Sequence, residues 1–482
     1  MSITNIADLD VDPPRFSHSV GWVAVGQAAV RSVQIIVTLL FVYILRTSEW
    51  NEIAIALSIY LAGVTVGSLN LEHSILFFLP RYEQREWGKL LSGTLKMLAT
   101  TGLVAGVAIS LSGLFFMEEQ FHLPLLLVGI AVFLEIPTVL VGPAFIAMQR
   151  SSRSGQWDLF HAVIQFAFLI VPAIVFGSAK SVLIGLVIAS ALRSISAMFI
   201  MKLMGARRTH QFEADMMYQQ VKFCIPLGIA LAAGVLTRSI DKWLVAVFDF
   251  TNVGMYAVAA IEVPLLGVLP YAGGAAIAHQ LVSAFLHRRV HEAHQLWLQQ
   301  AKDMICPVVL GAVGLIVVAP ELFQLFLPQN YVKVILPFQI FTLISVHRVT
   351  EYGLVLRAAN RSDLVTQSSI VLLVSNVAFA AIGLKIHGLS GMACGSLAAF
   401  GVAWFWMLRK LSKIFCVSVR DVFPWRAWFL TLLVASAVGY AAELLTSNMS
   451  SPLVSLVMKL GAVWGIGFLL INHSSFREFI KR

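Results

Sequence analysis

Seven cations and seven acids sit within or beside long apolar stretches of this chain. They are Arg31, Lys96, Arg193, Arg238, Lys242, Arg348 and Lys459, against Glu72, Glu135, Asp241, Glu262, Glu321, Glu351 and Glu443. A charge at mid-membrane costs at least about 2.5–3.5 kcal/mol, so such residues face a wet cavity or a partner. Gln27, Arg31 and Gln34 are spaced i, i+4, i+7, which places one polar face on an otherwise apolar helix. Arg238 shares a helix face with both Asp241 and Lys242. A guanidinium forms forked bonds to phosphate, so Arg31 and Arg238 are candidates to hold an anionic head group, with Gln27, Gln34 and Lys242 beside them. The competing reading is a structural ion pair, such as Arg238 closing on Asp241. Glu72, Asp241 and Glu262 are candidates for a coupling ion or proton, because each acid lies near polar or cationic neighbours.

Other patterns point to bland roles. His347, Arg348 and Glu351 read as a local pair at i+3 and i+4. His287, His291 and His294 lie in HRRVHEAH, which lacks the HExxH order and carries Arg288-Arg289, so a solvated basic helix is expected rather than a metal face. Cys224, Cys306, Cys394 and Cys416 are far apart and form neither a disulfide framework nor a zinc site. Glu321, Glu443 and Lys459 are expected near interfaces, where long side chains reach water cheaply.

The elements that position these residues follow from composition. Of 482 residues, 59% are hydrophobic and 12% charged, with net charge +9, and mean hydropathy is +0.84. A soluble domain carries about 25% charged residues. That excludes soluble domains, disorder and a nucleic-acid module. Fourteen apolar stretches are long enough to span a bilayer as helices: 18–45, 52–79, 91–116, 124–148, 157–177, 181–203, 221–248, 254–284, 303–326, 334–357, 364–384, 387–408, 425–445 and 452–473. The splits at Gly177-Ser178 and His387-Gly388 rest on short turns. With the N-terminus inside, 23 of the 34 Lys/Arg fall in cytoplasmic segments and four in the opposite turns, a positive-inside pattern that places both termini in the cytoplasm. All loops are short and no GxxxxGK[ST] occurs, so no nucleotide-binding domain is expected. GxxxG at Gly63–Gly67, Gly102–Gly106 and Gly391–Gly395 predicts close helix packing. Pro137, Pro143, Pro226, Pro264, Pro270 and Pro337 predict bends, and the eighth span is a candidate hinge.

The chain repeats. Arg31-Ser-Val-Gln recurs as Arg238-Ser-Ile-Asp, 207 residues on, and Ala147-Met-Gln-Arg-Ser recurs as Ala358-Ala-Asn-Arg-Ser, 211 residues on. Six spans per repeat give both halves one orientation, hence a pseudo-two-fold along the membrane normal. The predicted fold is therefore an all-α polytopic membrane protein of about 14 transmembrane helices. A cytoplasmic tail (1–17) leads to a six-helix lobe (18–203). A loop (204–220) joins it to a second six-helix lobe (221–408), and a further loop (409–424) precedes two extra helices (425–473) and a cytoplasmic tail (474–482).

Arg238-Ser-Ile-Asp-Lys-Trp-Leu, Val253-Gly-Met-Tyr-Ala-Val-Ala and Glu262-Val-Pro-Leu-Leu resemble the seventh-to-eighth span signature of polysaccharide and O-antigen flippases, in the multidrug/oligosaccharidyl-lipid/polysaccharide exporter superfamily. Leu327-Pro-Gln-Asn-Tyr, Leu356-Arg-Ala-Ala-Asn-Arg and the Gly388–Gly391–Gly395 run add to the likeness. The resemblance implies a central cavity lined by spans 1, 2, 7 and 8. It implies alternating access and a polyprenyl-pyrophosphate-linked oligosaccharide, moved from the cytoplasmic to the periplasmic leaflet of a bacterial inner membrane for cell-surface polysaccharide synthesis. The related lipid II flippases carry cavity arginines in the first span and the C-terminal lobe, positions that Arg31 and Arg238 fit. No cofactor is implied; a proton or Na+ gradient is the candidate drive. Implied partners are membrane lipids and the polymerase and glycosyltransferases of the same pathway, with no nucleic acid. The rival readings are an ion-coupled multidrug or small-molecule exporter and a membrane-embedded glycan polymerase or ligase. The latter is disfavoured by periplasmic turns too short for a catalytic loop.

Overall fold

The computed structural model describes residues 13–116, 119–206 and 214–472. The predicted tail at 1–12, loop residues 207–213 and the segment 473–482 lie outside the described residues, as does the side chain of Gln27. Every regular element among the described residues is helical. Among the described residues eleven helices are long and apolar enough to cross a membrane. The longest, Ser362–Phe415, holds two spans, because His387 and Gly388 are non-helical inside it. Gly388 takes φ +59°, ψ −142°, a conformation open in practice to glycine alone. Helices Pro13–Ile44 and Pro264–Leu286 bring the spans to the predicted fourteen. Gly177, left-handed, ends the fifth span, and Ser178 caps the sixth by accepting from the Ser181 amide.

The chain divides into two compact units, Met1–Glu49 with Ala56–Gly228, and Trp50–Ile55 with Ile229–Arg482. The division falls inside helix Ala214–Phe248 rather than in the loop ahead of it. The reason is local packing within the first unit. Gln220 Nε2 donates to Ser74 and Thr94, both at 3.0 Å, and Phe223 stacks on Phe77 at 4.6 Å.

The first unit is organised around a buried ion pair. Arg193, fully buried on the sixth span, donates from Nη2 to Glu135 of the fourth. The same nitrogen reaches the Tyr60 hydroxyl at 3.0 Å on the second span and Ser190 at 3.2 Å. His161, on the fifth span, lies 2.7 Å from Glu135 through Nε2 and 3.2 Å from Arg193 Nη1 through Nδ1. Arginine can only donate, so Nδ1 is the acceptor and Nε2 carries the hydrogen toward the carboxylate. Thr138 adds a donor to Glu135 at 3.1 Å. Spans three and four approach closely where Gly106 faces Gly129; a Cβ on Gly106 would stand 2.5 Å from the Gly129 carbonyl.

Proline breaks two spans as its chemistry requires. The fourth is interrupted by a 3-10 stretch, Ile136–Leu140, at Pro137. The predicted eighth span is two pieces, Val253–Ala259 and Pro264–Leu286, with Pro264 at the first helical turn where its missing N–H costs nothing. Pro226 lies within the continuous helix Ala214–Phe248.

One recurring segment takes the same turn at both of its positions. Gln149 and Asn360 are both left-handed, at φ 58° and 56°. Arg150 N bonds Phe145 O at 2.8 Å and Gln149 N bonds Ile146 O at 2.9 Å; 211 residues later Arg361 N bonds Leu356 O at 2.7 Å and Asn360 N bonds Arg357 O at 3.0 Å. Both are Schellman closures, in which the turn satisfies the last helical carbonyls.

In the second unit, helix Val290–Phe326 is central, and Trp297, Val308, Val309 and Ala312 are buried along it. Trp50–Ile55 belongs to this unit: Asn51 Nδ2 donates to Thr251 O at 3.0 Å, and Gly254 N donates to Asn51 Oδ1 at 2.8 Å. The two extra C-terminal helices dock through Lys459, which is 1% exposed and pairs with Glu321 and Glu443, while Ser455 donates to Glu321 at 2.7 Å. The expectation that these three reach an aqueous interface is thus corrected for Lys459, whose ammonium is held by two carboxylates.

Removing one member of a buried pair strands the other and costs about 3–5 kcal/mol. Arg193→Met should therefore lower the thermal unfolding midpoint of the purified protein markedly. The double change Glu135→Leu with Arg193→Met should recover a large part of that loss.

Candidate functional site

Helix Pro13–Ile44 packs along Ser151–Phe176, with Gly26 so close that a Cβ would meet the Gly155 carbonyl at 2.7 Å. Arg31 and Gln34 lie away from this contact and are both exposed. Among the described residues Arg31 has no hydrogen-bond or ion-pair partner.

The second span breaks near its predicted cytoplasmic end. Helix Thr47–Ser68 ends on two consecutive left-handed residues, Leu69 (φ 50°) and Asn70 (φ 60°), before Leu71–Phe78 begins. Glu72 follows the break and is 8% exposed. Ser68 Oγ lies 3.4 Å from Glu72 Oε1, and His73 Nδ1 lies 3.1 Å from the same oxygen.

On helix Ala214–Phe248, Arg238 is exposed, Lys242 half-buried and Asp241 buried. The alternative in which Arg238 closes on Asp241 does not form. Asp241 instead accepts from Asn376 Nδ2 at 2.6 Å and Ser396 Oγ at 3.0 Å, on spans eleven and twelve. Asn376 also donates to Thr237 O at 3.2 Å. Its own Oδ1 is buried without a hydrogen-bond partner, and the buried Tyr256 hydroxyl lies beside the Asp241 carboxylate. The result is a buried oxygen-rich cluster with one formal charge and no cation in contact with the carboxylate. Sequence reading found Asp241 but missed Asn376, Ser396 and Tyr256. The available signals were a lone amide in an apolar run, a serine beside Gly395, and the tyrosine of Val253-Gly-Met-Tyr.

Glu262 occupies the non-helical link between Val253–Ala259 and Pro264–Leu286, not a helix face. It is exposed, and Arg348 Nη1 donates to it at 3.3 Å. This corrects the expected local grouping of His347, Arg348 and Glu351. The tenth span is non-helical from Arg348 to Glu351, so helical i+3 and i+4 spacing fails there. Glu351 pairs instead with Arg357, and His347 lies against Trp404 at 5.3 Å. His294 likewise departs from a solvated basic face: it is buried against Phe415 at 4.9 Å. Among the described residues no group of three His, Cys, Asp or Glu is placed to hold a metal ion.

No family model matches the chain, and no curated protein matches it. Solved structures do match in fold. The lipid II flippase MurJ, in an inward closed conformation, is similar at TM-score 0.69 and 14% identity, over 95% of this chain and 99% of that one. The MATE multidrug transporter DinF-BH is similar at TM-score 0.60 and 13% identity, over 85% and 98%. An inward-facing multidrug resistance MATE family transporter of the MOP superfamily is similar at TM-score 0.57 and 13% identity, over 81% and 98%. The chain thus has the two-lobe helical fold of these membrane proteins.

The Asp241 cluster gives a direct test of its hydrogen bonds. Asn376→Leu removes the 2.6 Å donor from the buried carboxylate and should cost about 1–3 kcal/mol. Adding Asp241→Asn removes the stranded charge and should restore part of the thermal midpoint.

Proposed function

We propose that this protein is a membrane transporter that flips a polyprenyl-pyrophosphate-linked oligosaccharide from the cytoplasmic to the periplasmic leaflet by alternating access. The observation that carries this reading is the pair of exposed, unpaired guanidiniums. Arg31 and Arg238 recur at matched positions of the two repeats, and neither is consumed by a structural ion pair. Keeping an arginine on an apolar span without a partner is expensive unless it meets an anion. A pyrophosphate supplies that anion, and a forked guanidinium suits its geometry. By helical spacing, Gln27, Gln34 and Lys242 extend the polar faces on which the two arginines sit. Asp241 takes the coupling proton or sodium ion in the second unit, with Asn376 and Ser396 orienting its carboxylate; Glu72 and Glu262 are the other acids of the coupling path. The likeness in fold to the lipid II flippase MurJ supports a lipid-linked substrate. On this reading the protein acts in the bacterial inner membrane, both termini cytoplasmic, beside the glycosyltransferases and polymerase of a cell-surface polysaccharide pathway.

The fold likeness to multidrug transporters keeps a drug-exporter reading in view. Two exposed arginines favour an anionic head group over a cationic drug.

Charge-assisted hydrogen bonds are worth about 1.5–3 kcal/mol each, roughly ten- to a hundredfold in binding. Arg31→Ala and Arg238→Ala should each reduce surface-glycan output at least tenfold, with unchanged protein in the membrane. Lysine at either position should retain part of the output. Normal output from the double alanine variant, together with drug hypersensitivity of a deletion strain, would replace this reading with the drug-exporter one.

A further inference from the structure

We infer that the end of span twelve and the turn that leads into span thirteen form a seat for an anionic phospholipid of the surrounding bilayer. The occupant is a resident lipid rather than a transported one, so the inference goes beyond the transport reading and does not depend on it.

Charge balance is the first observation. Residues 409–426 hold five cations, Arg409, Lys410, Lys413, Arg420 and Arg426, against a single acid, Asp421. Arg409, Lys413 and Arg420 are exposed, and among the described residues none of these three forms an ion pair. Asp421 accepts instead from Ser418 Oγ at 2.7 Å, inside its own turn. The positive charge of this segment therefore exceeds what its one carboxylate can answer.

These cations stand on a folded frame. Helix Ser362–Phe415 closes on left-handed Cys416 (φ 55°), and Val417 N bonds Ser412 O at 3.0 Å. Asp421 N and Val422 N both bond Ser418 O at 3.0 Å, and Val422 and Phe423 are buried. Trp425 Nε1 donates to Val419 O at 3.1 Å, and Trp428 Nε1 donates to Val346 O at 2.9 Å. Trp404 of span twelve packs on Trp425 and Trp428 of span thirteen at 5.4 and 5.7 Å. The turn is thus tied into the second unit, and a ligand that binds its cations has little ordering left to impose.

Their setting selects a lipid over a dissolved anion. Val402, Phe405, Arg409 and Lys413 are spaced i, i+3, i+7, i+11, so they share one helix face, and all four are exposed. That face passes from apolar to cationic within about one turn. The Arg409 guanidinium lies 6.0 Å from the Phe405 ring, and the Lys410 ammonium lies 4.9 Å from the Trp406 ring. Span thirteen repeats the order, with exposed Phe429 and Leu433 following exposed Arg426. An acyl chain fits the apolar part, and a phosphodiester fits Arg409 and Lys413, one turn apart. A dissolved anion would use the cations and leave the apolar stripe without a role. Aromatic side chains favour the headgroup level, and clusters of four to eight Lys/Arg beside a membrane helix bind anionic headgroups. A zwitterionic headgroup carries its own ammonium, so only a lipid of net negative charge complements the excess.

The test is native mass spectrometry of the full-length protein, released from detergent after incubation with one lipid at a time. The parent should retain phosphatidylglycerol in preference to phosphatidylcholine. A cation beside an anionic lipid surface is worth roughly fivefold in affinity. Arg409→Gln, Lys413→Gln and Arg420→Gln should therefore each lower phosphatidylglycerol binding by roughly that factor, and the triple variant should hold the two lipids alike. The three side chains are exposed, so the thermal midpoint should stay near that of the parent; if the triple variant folds poorly, the single variants decide. Lys180→Gln with Lys333→Gln and Lys385→Gln removes equal charge from exposed positions elsewhere and should keep the preference. Inorganic phosphate at the concentration of the lipid should not displace it. A parent without preference overturns the seat, as does a preference that survives the triple variant or falls equally in the Lys180, Lys333 and Lys385 variant. Displacement by phosphate would make this a site for a dissolved anion and overturn the lipid assignment. Because no glycan is present, failure here leaves the transport reading standing, and normal glycan output from the Arg31 and Arg238 variants would sink that reading without touching this seat.

Discussion

A carboxylate and a guanidinium buried at lipid depth have no water to solvate them, so each must be given a protein partner. The Glu135–Arg193 pair is where the first unit meets that constraint. Four spans contribute to it, through Tyr60, Glu135, His161 and the Ser190–Arg193 turn of helix. Every one of these helices has to arrive in register for the cluster to close. A bundle of apolar helices packed by shape alone could slide or rotate at small cost, since lipid tails are as apolar as leucine. A closed polar cluster cannot. The second unit meets the same constraint with Lys459 between Glu321 and Glu443, which fixes the two extra helices against the ninth span.

Against these closed clusters the other intramembrane charges separate into two kinds. Arg31 and Arg238 are exposed and unpaired, so their cost has not been met inside either unit. Asp241 is buried among neutral donors, with Asn376 Oδ1 still lacking a partner. Arg193 and Lys459 are each paired with carboxylates, whereas neither Arg31 nor Arg238 forms an ion pair among the described residues. Burial alone does not sort them, since Arg193 and Asp241 are both buried.

Helix breaks carry the polar groups to these positions. The second, fourth, eighth and tenth spans each contain one. Glu72 follows the break in the second and Glu135 immediately precedes that in the fourth. Glu262 and Arg348 lie in the breaks of the eighth and tenth, where they reach one another. A continuous helix would present these residues at fixed 100° intervals. The breaks free them from that spacing, and helical periodicity therefore misplaced His347, Arg348 and Glu351.

The span count and one recurring turn were legible in the chain, because each is a linear property of hydropathy or of recurring residues. Ala147-Met-Gln-Arg-Ser and Ala358-Ala-Asn-Arg-Ser proved to form the same left-handed turn with the same two hydrogen bonds. Local sequence sets local backbone geometry, so a short match could report it. Partnership was not legible. Asn376 and Ser396 stand 135 and 155 residues from Asp241, and Arg193 stands 58 from Glu135. The sequence by itself determined that charges are scarce, where they lie and which helices carry them. Only the tertiary structure decided which of them neutralise one another and which remain open, because pairing depends on the packing of helices distant in sequence, and no periodicity encodes that.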